Sequence, residues 1–194
     1  AKKDTAPAKK PASKKAPVAQ ESVAKVEREP IVKPACKLDT AKAEKPAEPK
    51  AACEPKKVLF VCSEAFPFAG TGGLGEVMGS LPHAINAKKA GFDARIILPL
   101  YESFPESERK NLQFICHINV PLAWRNQYCG LFKLDRNGTV YYFIDNEYYF
   151  KRPNLYGYYD DGERFAFLSR AVVELIPHLG FKPDILHCQD WQTA

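Results

Sequence analysis

The stretch Gly70-Thr71-Gly72-Gly73-Leu74-Gly75-Glu76-Val77 is the part of the chain best equipped for chemistry. It follows the apolar run Val58-Leu59-Phe60-Val61-Cys62 and opens into a helical pattern. Glycine has no Cβ, so a ligand can approach its backbone closely. A helix N-terminus presents free N–H groups and the positive end of a dipole. Together these suit a phosphate or the oxygens of a sugar. Thr71, Gly72 and Gly73 are therefore candidate binding residues, with a tight turn as the plainer role of the glycines. Near the other end, Gln189 and Asp190 follow a second strand-like run and precede Trp191. Asp190 at a strand end fits a cleft carboxylate or a helix cap. Tyr156, in Leu155-Tyr156-Gly157, fits either a site residue or loop packing.

Gly70-x-Gly72-x-x-Gly75 also matches the GxGxxG fingerprint of dinucleotide sites, but its placement does not. The fingerprint begins at the turn directly after the first strand, with an acid about 20 positions on. Here Ser63 to Ala69 intervene, and the second strand ends in Pro99-Leu100-Tyr101 rather than a carboxylate.

The elements that must position these residues alternate. Strand 58–62 is followed by a helix over about 74–90, with Gly91 at its end. Pro82 lies inside that helix and is expected to bend it. Strand 94–98 comes next, then β-rich runs at 114–120, 130–134 and 139–144. Asn137-Gly138 between the last two is a hairpin signal. A second helix covers about 162–179, with Asp160 as N-cap and Glu163 completing a capping box. Arg164 is expected to pair with a nearby acid. Strand 184–188 closes the series. Tyr141, Tyr142, Tyr148 and Tyr149 read as a core cluster more than as a sugar platform. This order predicts an α/β fold, a Rossmann-like, mainly parallel sheet covered by helices. Ligands of such sheets bind outside the carboxyl ends of the strands, which places the glycine loop and Asp190 on one cleft.

Composition divides the chain. Residues 1–57 contain no Gly and no aromatic residue, and carry 15 Lys and Arg against 8 Asp and Glu, a net +7. Residues 58–194 carry −2 and every Phe, Tyr and Trp. The first part is Ala/Lys/Pro-rich and is expected to be a disordered basic tail or linker. Its interspersed acids dilute the field, so a solvated linker is favoured over a nucleic-acid contact. With one Arg and two Ser it lacks the make-up of a transit peptide. No run of about 18 apolar residues exists, so no membrane span is expected. The six Cys form no CxxC pair and the four His show no metal-ligand spacing. Cys62, Cys116, Cys129 and Cys188 mostly sit in apolar runs, and reduced buried thiols in a cytoplasmic protein are the expectation.

The motifs, taken together, carry a resemblance. They are Val58-Leu59-Phe60-Val61-Cys62-Ser63-Glu64-Ala65-Phe66-Pro67-Phe68, then Thr71-Gly72-Gly73-Leu74-Gly75-Glu76-Val77 and Tyr142-Phe143-Ile144-Asp145. Arg152-Pro153 with Leu155-Tyr156-Gly157, and Glu163-Arg164-Phe165-Ala166, follow in order. Pro183-Asp184-Ile185-Leu186-His187 then leads into Asp190-Trp191-Gln192-Thr193-Ala194. From Lys57 to the last residue the chain resembles the bacterial glycogen synthases and plant starch synthases, glycosyltransferase family 5.

The resemblance implies the N-terminal half of a GT-B glycosyltransferase, truncated at its C-terminal end, in which two sheet domains face a cleft. It implies transfer of glucose from ADP-glucose to the non-reducing end of an α-1,4-glucan primer, with retention of configuration. No metal or cofactor is implied, ADP-glucose being the donor substrate. The remaining partner is the C-terminal nucleotide-binding domain of the same protein, so the present chain alone is expected to be inactive. Asp190 and Tyr156 take catalytic positions; Thr71, Gly72, Gly73 and Gln189 take substrate-binding ones. Location is the bacterial cytoplasm, or a plastid if the source is a plant or alga. Two alternatives stay open: another retaining GT-B nucleotide-sugar transferase, and a non-catalytic glucan-binding or scaffold protein. The chain departs from the family pattern twice. Gly70 stands where a Lys is usual, and restoring that Lys is expected to be tolerated. Gln189 stands where a His is often found.

Overall fold

The structure, a computed structural model, describes residues 54–88 and 91–194. The expected disordered tail lies outside the described residues except for its last four positions, 54–57, where the first strand already begins.

In chain order the elements are β1 (Lys56–Val61), α1 (Gly73–Ala87), β2 (Phe92–Pro99), the single turn α2 (Glu106–Arg109), β3 (Gln113–Leu122), β4 (Arg125–Arg136), β5 (Thr139–Asp145), the single turn α3 (Glu147–Phe150), α4 (Asp161–Leu175) and β6 (Ile185–Cys188). Short 3₁₀ turns follow α4 at Ile176–His178 and β6 at Trp191–Thr193. All six strands form one sheet in the order β3-β4-β5-β2-β1-β6. β5, β2, β1 and β6 run parallel to one another, and β3 and β4 extend the sheet antiparallel. The expected mainly parallel α/β sheet is therefore present.

Its two faces follow from strand periodicity, which sends alternate side chains to opposite sides. Leu59 and Val61 of β1, Ile97 of β2, and Tyr142 and Ile144 of β5 face one layer. α4 covers that layer with Phe165, Leu168, Ala171, Val172 and Leu175. Val58, Phe60, Ala94, Ile96, Leu98, Tyr141 and Phe143 face the other, where Met78 of α1 is fully buried. Burial on both faces is why β1, β2 and β5 carry continuous apolar runs, whereas β6, at the sheet edge, is exposed.

Asn137 and Gly138 take φ of 52° and 75°, the paired positive values of a two-residue hairpin turn. Pro177 explains why α4 stops at Leu175 instead of reaching residue 179: proline cannot join the helical hydrogen-bond ladder. The expected capping box is not formed. Asp160 spends both carboxylate oxygens on Arg152, at 2.7 Å each. A forked guanidinium–carboxylate pair is stronger than a cap to a neutral N–H. Asp161 instead accepts from the N–H groups of Gly157 and Tyr158, at 2.8 and 3.1 Å. Glu163 accepts from Arg125 and from the Tyr149 hydroxyl. Tyr141, Tyr142 and Tyr149 are buried as expected, but Tyr148 is exposed. Cys188, expected with the buried thiols, is exposed as well. Among the described residues no helix is long and apolar enough to cross a membrane.

Candidate functional site

The site is built where β1 and its neighbour β6 end. Past Val61 the chain stays on the sheet for one more bond, with Cys62 N–H donating to Ile97 C=O at 3.1 Å. It then turns into a compact loop closed by Ala65 and Ala69, whose backbones bond each other. Two polar side chains, Ser63 and Glu64, are left at the strand end, 0% and 3% exposed. The Ser63 and Tyr156 hydroxyls share a 2.8 Å hydrogen bond. Glu64 accepts from Thr71 twice, from its N–H at 2.6 Å and its hydroxyl at 2.8 Å. The Thr71 hydroxyl proton and N–H are thus both given inward to Glu64.

The four glycines around this loop divide into two kinds. Gly72, in extended backbone, precedes the first helical turn and Gly73 opens it. Both are exposed, and a Cβ on either would meet nothing within 4 Å. The N–H groups of Gly72, Gly73, Leu74 and Gly75 have no acceptor among the described residues. Gly70 and Gly75 serve packing instead. A Cβ on Gly70 would stand 2.6 Å from the Phe66 ring; one on Gly75 would stand 3.0 Å from Gly70 Cα. Phe66 N–H also donates to Gly75 C=O at 2.9 Å. The loop is therefore gripped from beneath by Glu64 and Phe66, and open above at Gly72 and Gly73.

β6 delivers the second candidate segment. Gln189 N–H donates to Val61 C=O at 2.9 Å, so Gln189 lies beside the end of β1. Asp190 adopts φ 63° and its carboxylate accepts from Trp191 N–H at 2.7 Å. It therefore caps the 3₁₀ turn, while remaining solvent-exposed. The half-exposed Trp191 indole meets Phe165 edge-on at 5.3 Å, and Phe165 meets the Tyr156 ring at 5.7 Å. Tyr156 is bound to Ser63 on one side and joined through Phe165 to Trp191 on the other. The glycine loop, Tyr156 and the Gln189–Asp190 segment thus come together at one end of the sheet.

Arg164 is fully buried behind Tyr156 and donates to the carbonyls of Tyr149 and Leu155 and to the Asp161 carboxylate. Its expected pairing with an acid is present. Burial first, and then the Glu64 carboxylate, push the Tyr156 phenol far above its ordinary range. Tyr156 near neutrality is a hydrogen-bonding hydroxyl, not a base. Burial likewise keeps Cys62 a thiol.

A cavity of about 300 Å³ opens at the ends of β2 and β5, lined by Glu102, Glu106, Arg109, Asp145, Glu147 and Lys151. Four of its charges pair internally, Arg109 with Glu106 and Lys151 with Glu147, and it includes none of the site residues above.

Sequence reasoning missed Ser63, Glu64 and Phe66. One signal was available: two polar residues directly after an apolar run must either leave the sheet or find partners at its edge.

Residues 57–194 match the family model of the starch synthase catalytic domain. The glycogen synthase of Lactobacillus acidophilus is 54% identical over 138 residues, which is 71% of this chain and 29% of that protein. The glycogen synthase of Caldicellulosiruptor saccharolyticus is 56% identical over 137 residues, 71% of this chain and 28% of that protein. The chain thus spans under a third of the length of these relatives. Among solved structures, the catalytic domain of starch synthase IV from Arabidopsis thaliana, bound to ADP and acarbose, superposes with a TM-score of 0.64. It shares 32% identity over 73% of this chain and 29% of that one. The sheet order, the loop between β1 and α1 and the matched sequence agree: residues 57–194 are part of a GT-B glycosyltransferase domain, and the chain belongs to the family of the starch synthase catalytic domain.

Proposed function

We propose that this chain is one wall of the active cleft of an ADP-glucose-dependent α-1,4-glucan glucosyltransferase. The carrying observation is the set of N–H groups from Gly72 to Gly75, without an acceptor among the described residues, opening a 15-residue helix at the carboxyl end of a central parallel strand. Such a terminus favours the negative charge that develops on a departing diphosphate. The Tyr156 hydroxyl, fixed by Ser63, offers a hydrogen bond to the sugar or acceptor. Gln189 and Asp190 supply further positioning groups from the neighbouring strand. Binding the donor and the non-reducing glucan end in one geometry removes much of the entropic barrier to transfer. The choice of ADP-glucose draws support from the Arabidopsis starch synthase IV domain, which holds ADP and acarbose. The partners are then the nucleotide sugar, an α-1,4-glucan primer and the remainder of the protein. No cofactor enters this scheme. The free thiols of the described cysteines suit a reducing compartment, the bacterial cytoplasm or a plastid.

The test is transfer of labelled glucose from ADP-glucose to glycogen. The intact protein is expected to elongate the primer and residues 1–194 alone to give none. Transfer by the intact protein from UDP-glucose but not ADP-glucose would refute the donor assignment, and glucan binding without transfer from any donor would make it a binding protein.

A further inference from the structure

Glu64 is a carboxylate held in an expensive place. It is 3% exposed, and no Lys, Arg or His pairs with it among the described residues. Burying an unpaired charge is costly unless dedicated hydrogen bonds offset it. Two of those bonds come from Thr71, which gives its N–H to one carboxylate oxygen and its hydroxyl to the other. The same carboxylate reaches under the helix start, 3.3 Å from where a Cβ on Gly75 would stand. The hydroxyl of Tyr156 lies beside it, bonded to the adjacent Ser63.

We infer that Glu64 is the positioning residue of the glycine loop. By taking both donors of Thr71 inward it fixes the chain just before the helix, so that the N–H groups of Gly72 to Gly75 face the cleft together. The inference rests on reading this loop as the donor-phosphate site. A negative charge beneath such a site opposes the ligand's own charge. What Glu64 contributes is therefore geometry, not charge. A neutral amide reproduces that geometry: its carbonyl accepts from Thr71 N–H, and its NH₂ donates to the Thr71 hydroxyl.

The experiment uses the intact protein with Glu64→Gln, Glu64→Ala, Thr71→Val and Thr71→Ser. Glu64→Gln is expected to keep KM for ADP-glucose at or below the parental value, with kcat within about threefold. Glu64→Ala should raise KM by about tenfold or more with a smaller change in kcat. It should also speed exchange of the Thr71 amide by about tenfold, leaving amides of the central strands unchanged. Thr71→Val should raise KM and Thr71→Ser restore it. Since Thr71 is exposed, that pair decides the matter if Glu64→Ala fails to fold. Unchanged Thr71 exchange and KM in Glu64→Ala overturn the inference. So does a loss of kcat in Glu64→Gln equal to that in Glu64→Ala, because the charge itself would then be at work. If the intact protein does not use ADP-glucose, the functional reading fails, and Thr71 exchange alone decides the role of Glu64.

Discussion

The hydroxyls of Ser63 and Tyr156 lie 2.8 Å apart although 93 positions separate them in the chain. The bond ties the end of β1 to the loop before α4, two segments of the same candidate site. Tyr156→Phe deletes one hydroxyl and leaves the ring on Phe165. A lost hydrogen bond of this kind costs about 1 kcal/mol of stability. Transfer by the intact protein should fall by more than the folded fraction does, with kcat down about tenfold. Steady-state kinetics beside a thermal melt measures both. Equal losses would make the bond purely structural.

Gly73→Val separates ligand approach from folding. A Cβ at this position meets nothing within 4 Å, and the residue opens a helix in which valine is acceptable. The melting temperature should therefore be unchanged or slightly raised. If a ligand sits on the N–H groups, the branched side chain blocks it. Activity should fall at least about tenfold, equivalent to roughly 1.4 kcal/mol of transition-state stabilisation. Parental kinetics in this variant would remove Gly73 from the site.

The contrast between Gly73 and Gly70 shows what the sequence could convey. The glycine run, the alternating strands and Asn137-Gly138 are local signals, and each produced the element it predicted. The turn joining β3 and β4 carried no such signal: it is made by Ala123, at φ 51°, and an exposed Trp124. Alanine rarely adopts that conformation, and strand pairing imposes it here. Asp160 is the N-cap residue of α4 as expected, but the loss of its capping bond was not foreseeable: Arg152, eight residues earlier, claims both its carboxylate oxygens. Glu64 reads as a surface residue because its burial depends on Thr71 folding back over it. Which glycine lies open and which lies against Phe66 is likewise settled only in three dimensions.

The Arg152–Asp160 pair predicts an acid-side change in stability. The guanidinium holds the Asp160 carboxyl below its ordinary value. A carboxyl depressed in the folded state contributes stability above its unfolded value of about 3.9, and loses it as pH falls through the folded one. Asp160→Asn should therefore lower the melting temperature near pH 7. The gap to the parent should narrow as pH drops below about 4. Melts across that range provide the check, and a gap that stays constant would refute the assignment.

Gly70→Lys was expected to be tolerated, as a return to the family's usual residue. The packing opposes this. The new Cβ would fall 2.6 Å from two atoms of the Phe66 ring, closer than nonbonded carbons approach. Phe66 is 40% exposed, so the ring can swing outward, but it then leaves the glycine seats at 70 and 75. Overpacking of this sort costs about 1–3 kcal/mol, and the partial exposure places it toward the lower end. Gly70→Lys alone should therefore lower stability and disturb the loop. Phe66→Ala should also destabilise, through the lost ring. Because each change removes the other's clash or its need, the double variant should be more stable than the sum of the two, by at least about 0.5 kcal/mol. Denaturant melts of the four proteins in the cycle give that coupling directly. If the two effects add, the ring and residue 70 are independent, and the lysine is excluded for some reason other than Phe66.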